Sequence, residues 1–171
     1  MSWPTKERWL RLVGSEGETD GASYWYALLT EAYSQPHRHY HNQRHLADCL
    51  AEFEEARHLA RNPRAVELAL WFHDAVYDPR ASDNEERSAS LAATCLNAIP
   101  APHLAAVVSS LVMATKTHEA MGDRDAALLI DVDLSILGQN AARFAEYTAQ
   151  IRKEYSWVSE VFYSRKRAEI L

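Results

Sequence analysis

The sequence predicts a single all-α domain over residues 1–171, and three observations support this fold class. The chain has only 5 Gly and 6 Pro among its 171 residues, about half the usual share of these turn-forming residues. Ala and Leu outnumber the β-branched residues by about two to one, which favours helices over strands. Apolar residues recur at the helical period between start and stop signals. The length suits one domain whose core needs no disulfide or metal support.

Start and stop residues divide the chain into nine predicted helices. The first has Pro4 in its first turn and ends at Gly14. The others are predicted over about 22–33, 42–60, 63–77, 82–98, 102–115, 123–138, 140–155 and 159–170. The last helix has no stop signal before Leu171, so we expect the natural protein to continue beyond this residue.

The strongest helix-start signals are short polar motifs. Asn42 is a predicted N-cap, and Asn62-Pro63 combines a cap with proline at the first helical position. Ser82-Asp83-Asn84-Glu85 predicts a capping box, in which Glu85 caps the helix and is not a catalytic base. Asp123 caps a later helix that Gly138 ends.

Charge and hydropathy exclude several classes of protein. A net charge of −6 is not typical of a general nucleic-acid binder, which presents a basic surface. The N-terminus has no apolar signal region, and the longest apolar stretch, 104–114, is too short to cross a bilayer. Cys49 and Cys95 lie in apolar helical patterns and are predicted to be buried thiols in a reducing compartment. We therefore expect a cytoplasmic protein that binds neither nucleic-acid polymers nor membranes.

Two histidines are predicted to face the core. His73 shares the apolar face of the helix that starts at Pro63, and Asp74 lies about 100° round the same helix. His45 begins an apolar stripe that continues with Cys49, and His41 precedes it by one turn. A buried His beside a buried Asp is costly unless something compensates both. Either a plain hydrogen bond in the core or a bound cation fulfils that condition.

An acid among apolar neighbours also occurs on the helix that starts after Asp123. Asp133 shares a face with Leu129 and Leu137, and Asp131 has apolar neighbours on another face, so periodicity does not choose between the two acids. Inward-facing ionisable groups on three helices favour a metal site over a plain polar core. Two imidazoles and two carboxylates suit Zn, Mn, Fe, Co or Ni, and Mg²⁺ is also considered.

The order His, His-Asp, Asp on successive helices resembles the HD superfamily of metal-dependent phosphohydrolases. Six short strings over residues 22–171 are more closely similar to a bacterial branch described as predicted HD phosphohydrolases. They are Tyr40-His41-Asn42-x-x-His45-Leu46, Trp71-Phe72-His73-Asp74-Ala75-Val76-Tyr77-Asp78, Asn84-Glu85-x-x-Ser88-Ala89, Thr115-Lys116-x-His118, Asp131-x-Asp133-Leu134-x-Ile136-Leu137-Gly138 and Gln150-Ile151-Arg152-x-Glu154-Tyr155.

The resemblance implies a fold, an activity and a ligand set. The fold would be an HD-type helical bundle. The activity would be hydrolysis of a small phosphate ester, such as a nucleotide. The metal ligands would be His45, His73, Asp74 and Asp133. Asp133 is chosen as the fourth ligand because related phosphodiesterases carry a ligand Asp in a similar Asp-Leu-Ser string. Asp131 is the fallback for the fourth ligand. The chain lacks the His-Asp-x-x-Glu-Asp string of the alarmone hydrolases, and it has no clear second histidine pair like that of dinuclear HD proteins.

Other polar residues have predicted roles around a metal-activated water. Asp74 would both bind the metal and orient the water, and His118 would protonate the leaving oxygen or bind phosphate. Lys116 and Arg38 would offset phosphate charge, and His41 is a further substrate-binding candidate. His103 follows a helix-start proline and is expected at the surface.

Two other functions are open at this point. One is a di-iron oxygenase, for which His118 and another residue would complete a second metal site. The other is a non-catalytic module that binds metal or nucleotide. The sequence names neither the substrate nor the metal.

Overall fold

In the part of the chain that the computed structural model describes, there are nine α-helices, six of which follow a polar N-cap residue. The structure describes residues 4–14, 20–99 and 101–170. The helices are α1 (Lys6–Val13), α2 (Asp20–Ala32), α3 (Gln43–Ala56), α4 (Pro63–Phe72), α5 (Asn84–Ala98), α6 (Ala105–Ala114), α7 (Arg124–Asp133), α8 (Ala141–Glu154) and α9 (Glu160–Ile170). Short 3-10 helices cover Arg57–Leu59, Pro102–Leu104 and Leu134–Gly138. The described residues contain no strand, so the prediction of an all-α bundle is confirmed.

Most of the predicted caps are confirmed. The side chain of Asn42 accepts a hydrogen bond from the backbone at the start of α3, and that of Asn62 does the same for α4. Asp123 caps α7 by accepting from two backbone amides. Gly14 ends α1 in the left-handed region, with φ 75°. These signals are local, which explains why the sequence predicts them well.

Three predicted boundaries are wrong. Pro4 precedes α1, because Thr5 is the N-cap. The predicted capping box does not form: Asp83 is the N-cap of α5 and makes no side-chain cap, so Glu85 is not a cap residue. The adjacent Asn84 instead binds the backbone of Asp78 across the preceding turn. Short polar side chains in a run such as 82–85 can form either a helix cap or a hydrogen bond to a neighbouring turn. Here the hydrogen bonds between Asn84 and Asp78 take the place of the predicted capping box.

The third wrong boundary is the end of α4, which stops at Phe72 and not near Tyr77. Beyond this point the backbone finds partners outside the helix. Arg38 donates to the carbonyls of Asp74 and Ala75, and the hydroxyl of Ser88 accepts from the amide of Val76. These tertiary hydrogen bonds replace the helical ones, so the chain turns directly after His73.

Helix α4 forms the centre of the core, since all of residues 65–72 are buried. It packs against α1, α3, α5, α6 and α7. Trp9 of α1 meets Trp71 edge to face with ring centroids 5.2 Å apart, a favourable aromatic geometry. The one buried acid of α4, Glu67, is paired with Arg8 and Arg57. Helix α4 is thereby held among five neighbouring helices.

A smaller apolar cluster holds α8 to the rest of the molecule. It consists of Tyr40, Ile136, Tyr147 and Ile151. Helix α9 is largely exposed, including Val161 and Phe162. The chain end at Leu171 lies outside the described residues, and the predicted continuation of the protein lies there with it. None of the helices in the described ranges has the length and apolar character needed to cross a membrane.

Candidate metal centre

Ends of three helices bring four ionisable side chains together. His45 lies in the first turn of α3, and its cap Asn42 fixes where that turn begins. His73 occupies the C-cap of α4, and Asp74 follows it in the turn. Asp133 is the last residue of α7. Both histidines are only 2% exposed, as the helical periodicity predicts.

The four side chains approach one another closely. The Nε2 atoms of His45 and His73 lie 3.0 Å apart. Oδ2 of Asp74 lies 3.4 Å from Nε2 of His45 and 3.1 Å from Nε2 of His73. Oδ1 of Asp133 lies 3.2 Å and 3.5 Å from the same two nitrogens. Two nitrogens and two oxygens thus face a common point.

This spacing fits a first-row divalent ion. A metal bound at about 2.1 Å by N and O ligands separates neighbouring ligand atoms by about 3.0 Å in octahedral and about 3.4 Å in tetrahedral coordination. The tautomer also fits: Nδ1 of His73 donates to the carbonyl of Leu70 at 2.7 Å. This leaves the Nε2 lone pair of the neutral ring directed at the other three groups, as in metal-binding histidines. The ligand chemistry and the ligand spacing therefore agree.

The cluster requires positive charge at its centre. Burial alone would lower the pKa of both imidazoles, but the neighbouring groups, Asp74 beside His73 among them, raise both pKa values well above the usual 6.5. Burial would raise the pKa of both carboxyls, but His73 holds that of Asp74 well below its usual 3.8. His118, His45 and His73 do the same for Asp133. Two carboxylates in one buried place are compensated here either by imidazole protons or by a cation.

Cys49 also lies at this site, one turn after His45. One ligand atom from each of His45, Cys49, His73 and Asp133 can be chosen so that all lie within 4.8 Å of one another. The sulfur is 3.6 Å from Nδ1 and 3.7 Å from Nε2 of His45. An atom equally distant from both ring nitrogens does not lie in front of the Nε2 lone pair. Asp74 approaches both Nε2 atoms and is the better fourth ligand.

The structure separates the two candidate acids of α7. Asp133 is half-buried and belongs to the cluster, whereas Asp131 is exposed. The α-helix ends at Asp133, which directs its side chain toward the ends of α3 and α4. The geometry therefore supports Asp133 as the ligand residue and gives Asp131 no place in the cluster.

Arg38 has a different position from the one its predicted substrate role requires. The side chain is buried, and its guanidinium donates to the carbonyls of Asp74 at 2.5 Å, Ala75 at 3.1 Å and His41 at 3.2 Å. Its Nε donates to Gln35 at 3.0 Å. Four of its five N–H groups are thereby used within the protein. Arg38 therefore positions the turn that carries Asp74. A contact between Arg38 and substrate stays a prediction, and this arrangement does not favour it.

The rings of His41 and His45 have centroids 5.7 Å apart, although α3 begins only at Gln43 and His41 lies before its N-cap. Nδ1 of His41 is bonded to Oε2 of Glu154 at 2.7 Å, and the hydroxyl of Tyr77 donates to the same oxygen at 2.7 Å. Oε1 of Glu154 accepts from the backbone amides of Tyr40 and His41. These contacts orient the ring of His41 and leave its Nε2 available.

Glu154 is the main site residue that the sequence reasoning missed. Burial alone would raise its pKa, but the hydrogen bond and charge of His41 outweigh it and hold the pKa at about 2. A signal was present in the sequence: Tyr147, Ile151 and Glu154 follow one face of α8 at helical spacing. An acid that continues an apolar stripe indicates a buried partner.

His118 and Lys116 have different surroundings. Nε2 of His118 lies 3.6 Å from Oδ2 of Asp133, the oxygen that does not face the other histidines, and its side chain is 43% exposed. Its backbone is in the left-handed region, with φ 53°, which is uncommon for a residue other than Gly. The amine of Lys116 instead donates to Glu86 and, at 2.9 Å, to the carbonyl of Ser82. Its predicted catalytic role stays untested.

A cavity of about 460 Å³ adjoins the cluster on the side of α8. His45 and Asp133 are among its lining residues. Its lining also includes two ion pairs, Arg143 with Asp48 at 3.0 Å and Arg44 with Glu146 at 2.6 Å. A volume of this size accommodates a small-molecule ligand. His103, the other histidine considered, is exposed, as predicted.

No protein-family model, curated protein or solved structure matches this chain.

Proposed function

We propose that this chain is a metal-dependent phosphohydrolase that acts on a small phosphate ester, such as a nucleotide. The observation that carries the proposal is the set of N and O atoms from His45, His73, Asp74 and Asp133 at the ends of three helices, whose N–N and N–O distances are 3.0–3.5 Å. The order of these residues in the chain, which resembles the HD superfamily, points to the same activity.

One divalent ion of Mn, Zn, Fe, Co or Ni suits this mixed ligand set, and Mg²⁺ is less well matched because it prefers oxygen ligands. An ion bound there would polarise a phosphoryl oxygen and lower the pKa of water near it. The side chains of Asp74 and Asp133 are 19% and 15% exposed, against 2% or less for the two histidines, so the carboxylate edge of the cluster is the one open to substrate and water.

The surrounding residues supply positioning and proton transfer. Arg38 holds the turn that carries Asp74 by binding its carbonyl. His118 faces the second oxygen of Asp133 and is exposed enough to reach a leaving-group oxygen, to which it would donate a proton. His41, oriented by Glu154, would bind substrate phosphate through its Nε2. Lys116 is left out of the proposed machinery because Glu86 already neutralises it.

One observation favours a second candidate, a di-iron oxygenase. The two oxygens of Asp133 face different histidines, with His45 and His73 on one side and His118 on the other. A carboxylate of this kind is able to bridge two ions. Within the described ranges, however, only one group of three or more candidate ligands was found, and it is the group at His45. Iron content and an absorbance change on exposure to air would distinguish this candidate.

The experiment that tests the proposal is a hydrolysis screen of nucleotides and phosphodiesters with several added divalent metals. We expect metal-dependent turnover of at least one class by the wild-type chain. Asp133→Asn should abolish it, because the substitution removes a charged ligand. Asp131→Asn is the matched control and should retain it, because Asp131 is exposed and outside the cluster. Tight nucleotide binding without turnover on any substrate would instead indicate a non-catalytic module.

A further inference from the structure

A second concave region lies beside the turn that follows the metal centre. It has a volume of about 660 Å³, and its walls come from the turns around 35–39 and 75–80, from α5 and from the end of α8. None of His45, His73, Asp74 and Asp133 lines it. Tyr77 and Glu154 do, and both are hydrogen-bonded to each other on the side toward His41. The pocket is therefore separate from the metal-binding cluster.

The lining of this pocket is unusually basic for an acidic protein. Arg80, Arg87 and Lys153 come from three different elements, and all three are exposed. None of the three forms an ion pair with a carboxylate of the described residues. The chain as a whole carries a net charge of −6. Three positively charged side chains without ion-pair partners therefore line one pocket of a net negative protein. Like charges held together in this way repel one another.

The two acids in the lining do not neutralise these cations. Asp78 accepts a hydrogen bond from the backbone amide of Arg80. Glu154 is occupied by His41 and Tyr77. Among the described residues neither carboxylate forms an ion pair with Arg80, Arg87 or Lys153, so the side chains of these cations remain available to a ligand.

The pocket also has an exposed aromatic residue at its rim. Trp157 is 50% exposed, and the guanidinium of Arg80 lies 5.3 Å from its ring centroid. This cation–π contact restricts the Arg80 side chain without neutralising it. A guanidinium held in this way presents its N–H groups as a preformed fork for phosphate oxygens.

We propose that this pocket binds a small anion that carries two or more phosphate groups. Its phosphates would be held by Arg80, Arg87 and Lys153, and the metal centre would take no part. A diphosphate group matches the site because its several negative charges can contact cations on three separate elements at once, which a single carboxylate cannot. The site is independent of the proposed hydrolysis.

Inorganic pyrophosphate is the direct probe, titrated into the 171-residue chain in the presence of a chelator. The chelator removes any contribution of metal, so the result does not depend on whether the chain is a hydrolase. We expect saturable binding by calorimetry, weakened by added salt, together with a change in tryptophan fluorescence. Because the chain has 5 Trp residues, Trp157→Phe identifies the reporter and should lose the fluorescence change while binding continues.

The decisive comparison uses two double variants with the same change in charge. Arg87→Gln/Lys153→Gln removes two cations of the pocket, and Arg61→Gln/Arg124→Gln removes two exposed cations outside it. We expect affinity to fall by about tenfold or more in the first variant, as for the loss of two charge-assisted contacts, and to stay within about twofold of wild type in the second. Equal losses in both variants, or no pyrophosphate binding by the wild-type chain, would overturn the proposal.

Discussion

Glu154 shows how much a single buried residue contributes to the candidate site. Its carboxylate accepts four hydrogen bonds, two from backbone amides and two from the side chains of His41 and Tyr77. All four favour the ionised form, and the pKa of Glu154 is about 2 instead of 4.5. A carboxyl whose pKa is lower in the folded state stabilises the fold above its unfolded pKa, and this contribution disappears as the pH falls through the folded pKa.

We therefore predict that Glu154→Gln is less stable than wild type at pH 7 by about 3 kcal/mol. At pH 3, between the unfolded pKa of 4.5 and the folded pKa of about 2, the difference should be roughly half as large. Urea unfolding of both proteins at the two pH values measures it. A difference that does not change with pH would show that the charge of Glu154 contributes nothing and that only packing is lost.

His118 combines a strained backbone with a predicted function. Its φ of 53° costs a side-chain-bearing residue about 1 kcal/mol, and glycine avoids this cost. We predict that His118→Gly reduces hydrolysis at least tenfold, as for the loss of a general acid, and raises the free energy of unfolding by roughly 0.5 kcal/mol. Metal content should not change.

His118→Ala is the control, because it removes the imidazole and keeps the strain. It should lose the same activity without gaining stability. If His118→Gly is destabilised and His118→Ala is not, the backbone strain assigned to this position is wrong.

At the scale of helices, the residues of the candidate site lie at the start of α3 and at the ends of α4 and α7, and not along the middle of any helix. The sequence predicts which residues of α3, α4 and α7 face inward, because periodicity is local. It also predicts the caps at Asn42, Asn62 and Asp123. It does not predict the end of α4, because that end depends on Arg38, which is distant in the chain. Nor does periodicity separate Asp131 from Asp133, because only the position of α7 against its neighbours does so.

The N-terminal ends of α4 and α7, which lie away from the candidate metal centre, are joined by a buried acid. Asp125, in the first turn of α7, accepts hydrogen bonds from the backbone amides of Arg61 and Asn62 just before α4. These two helices supply three of the four proposed ligands. The contact therefore fixes the relative position of the elements that converge on the candidate site.

Asp125→Ala should cost about 2–4 kcal/mol of stability, because it leaves two amides without their charged acceptor. Asn62→Ala, which removes only a helix cap in the same place, should cost about 1 kcal/mol. Urea unfolding of both variants gives the comparison. Equal costs would mean that Asp125 acts only within its own helix.

At the scale of the whole molecule, the all-α fold and most of its helices follow from the sequence, whereas contacts between distant segments do not. The stripe of Tyr147, Ile151 and Glu154 illustrates the difference. Its spacing marks one face of α8, but only the fold shows that Glu154 reaches His41. Residues of this kind have no local signature apart from a charge in an apolar pattern.

The cluster also has a consequence for overall stability. A ligand that binds only the folded state stabilises it by mass action, by about 2.7 kcal/mol at a free concentration one hundred times its dissociation constant. We predict that added Mn²⁺ or Zn²⁺ raises the midpoint of thermal unfolding of the wild-type chain and that a chelator reverses the effect. His73→Ala should show no such shift. An equal shift in this variant would place metal binding elsewhere in the molecule.

Metal analysis of the purified chain and of single variants tests the central claim most directly. The wild-type protein loaded with Mn²⁺ or Zn²⁺ and then desalted should retain about one equivalent of metal, as expected for one four-ligand site. His73→Ala and Asp133→Ala should lose it, and Asp131→Ala should keep it. Full metal content in both His73→Ala and Asp133→Ala would contradict the metal centre, and the proposed hydrolysis would fall with it.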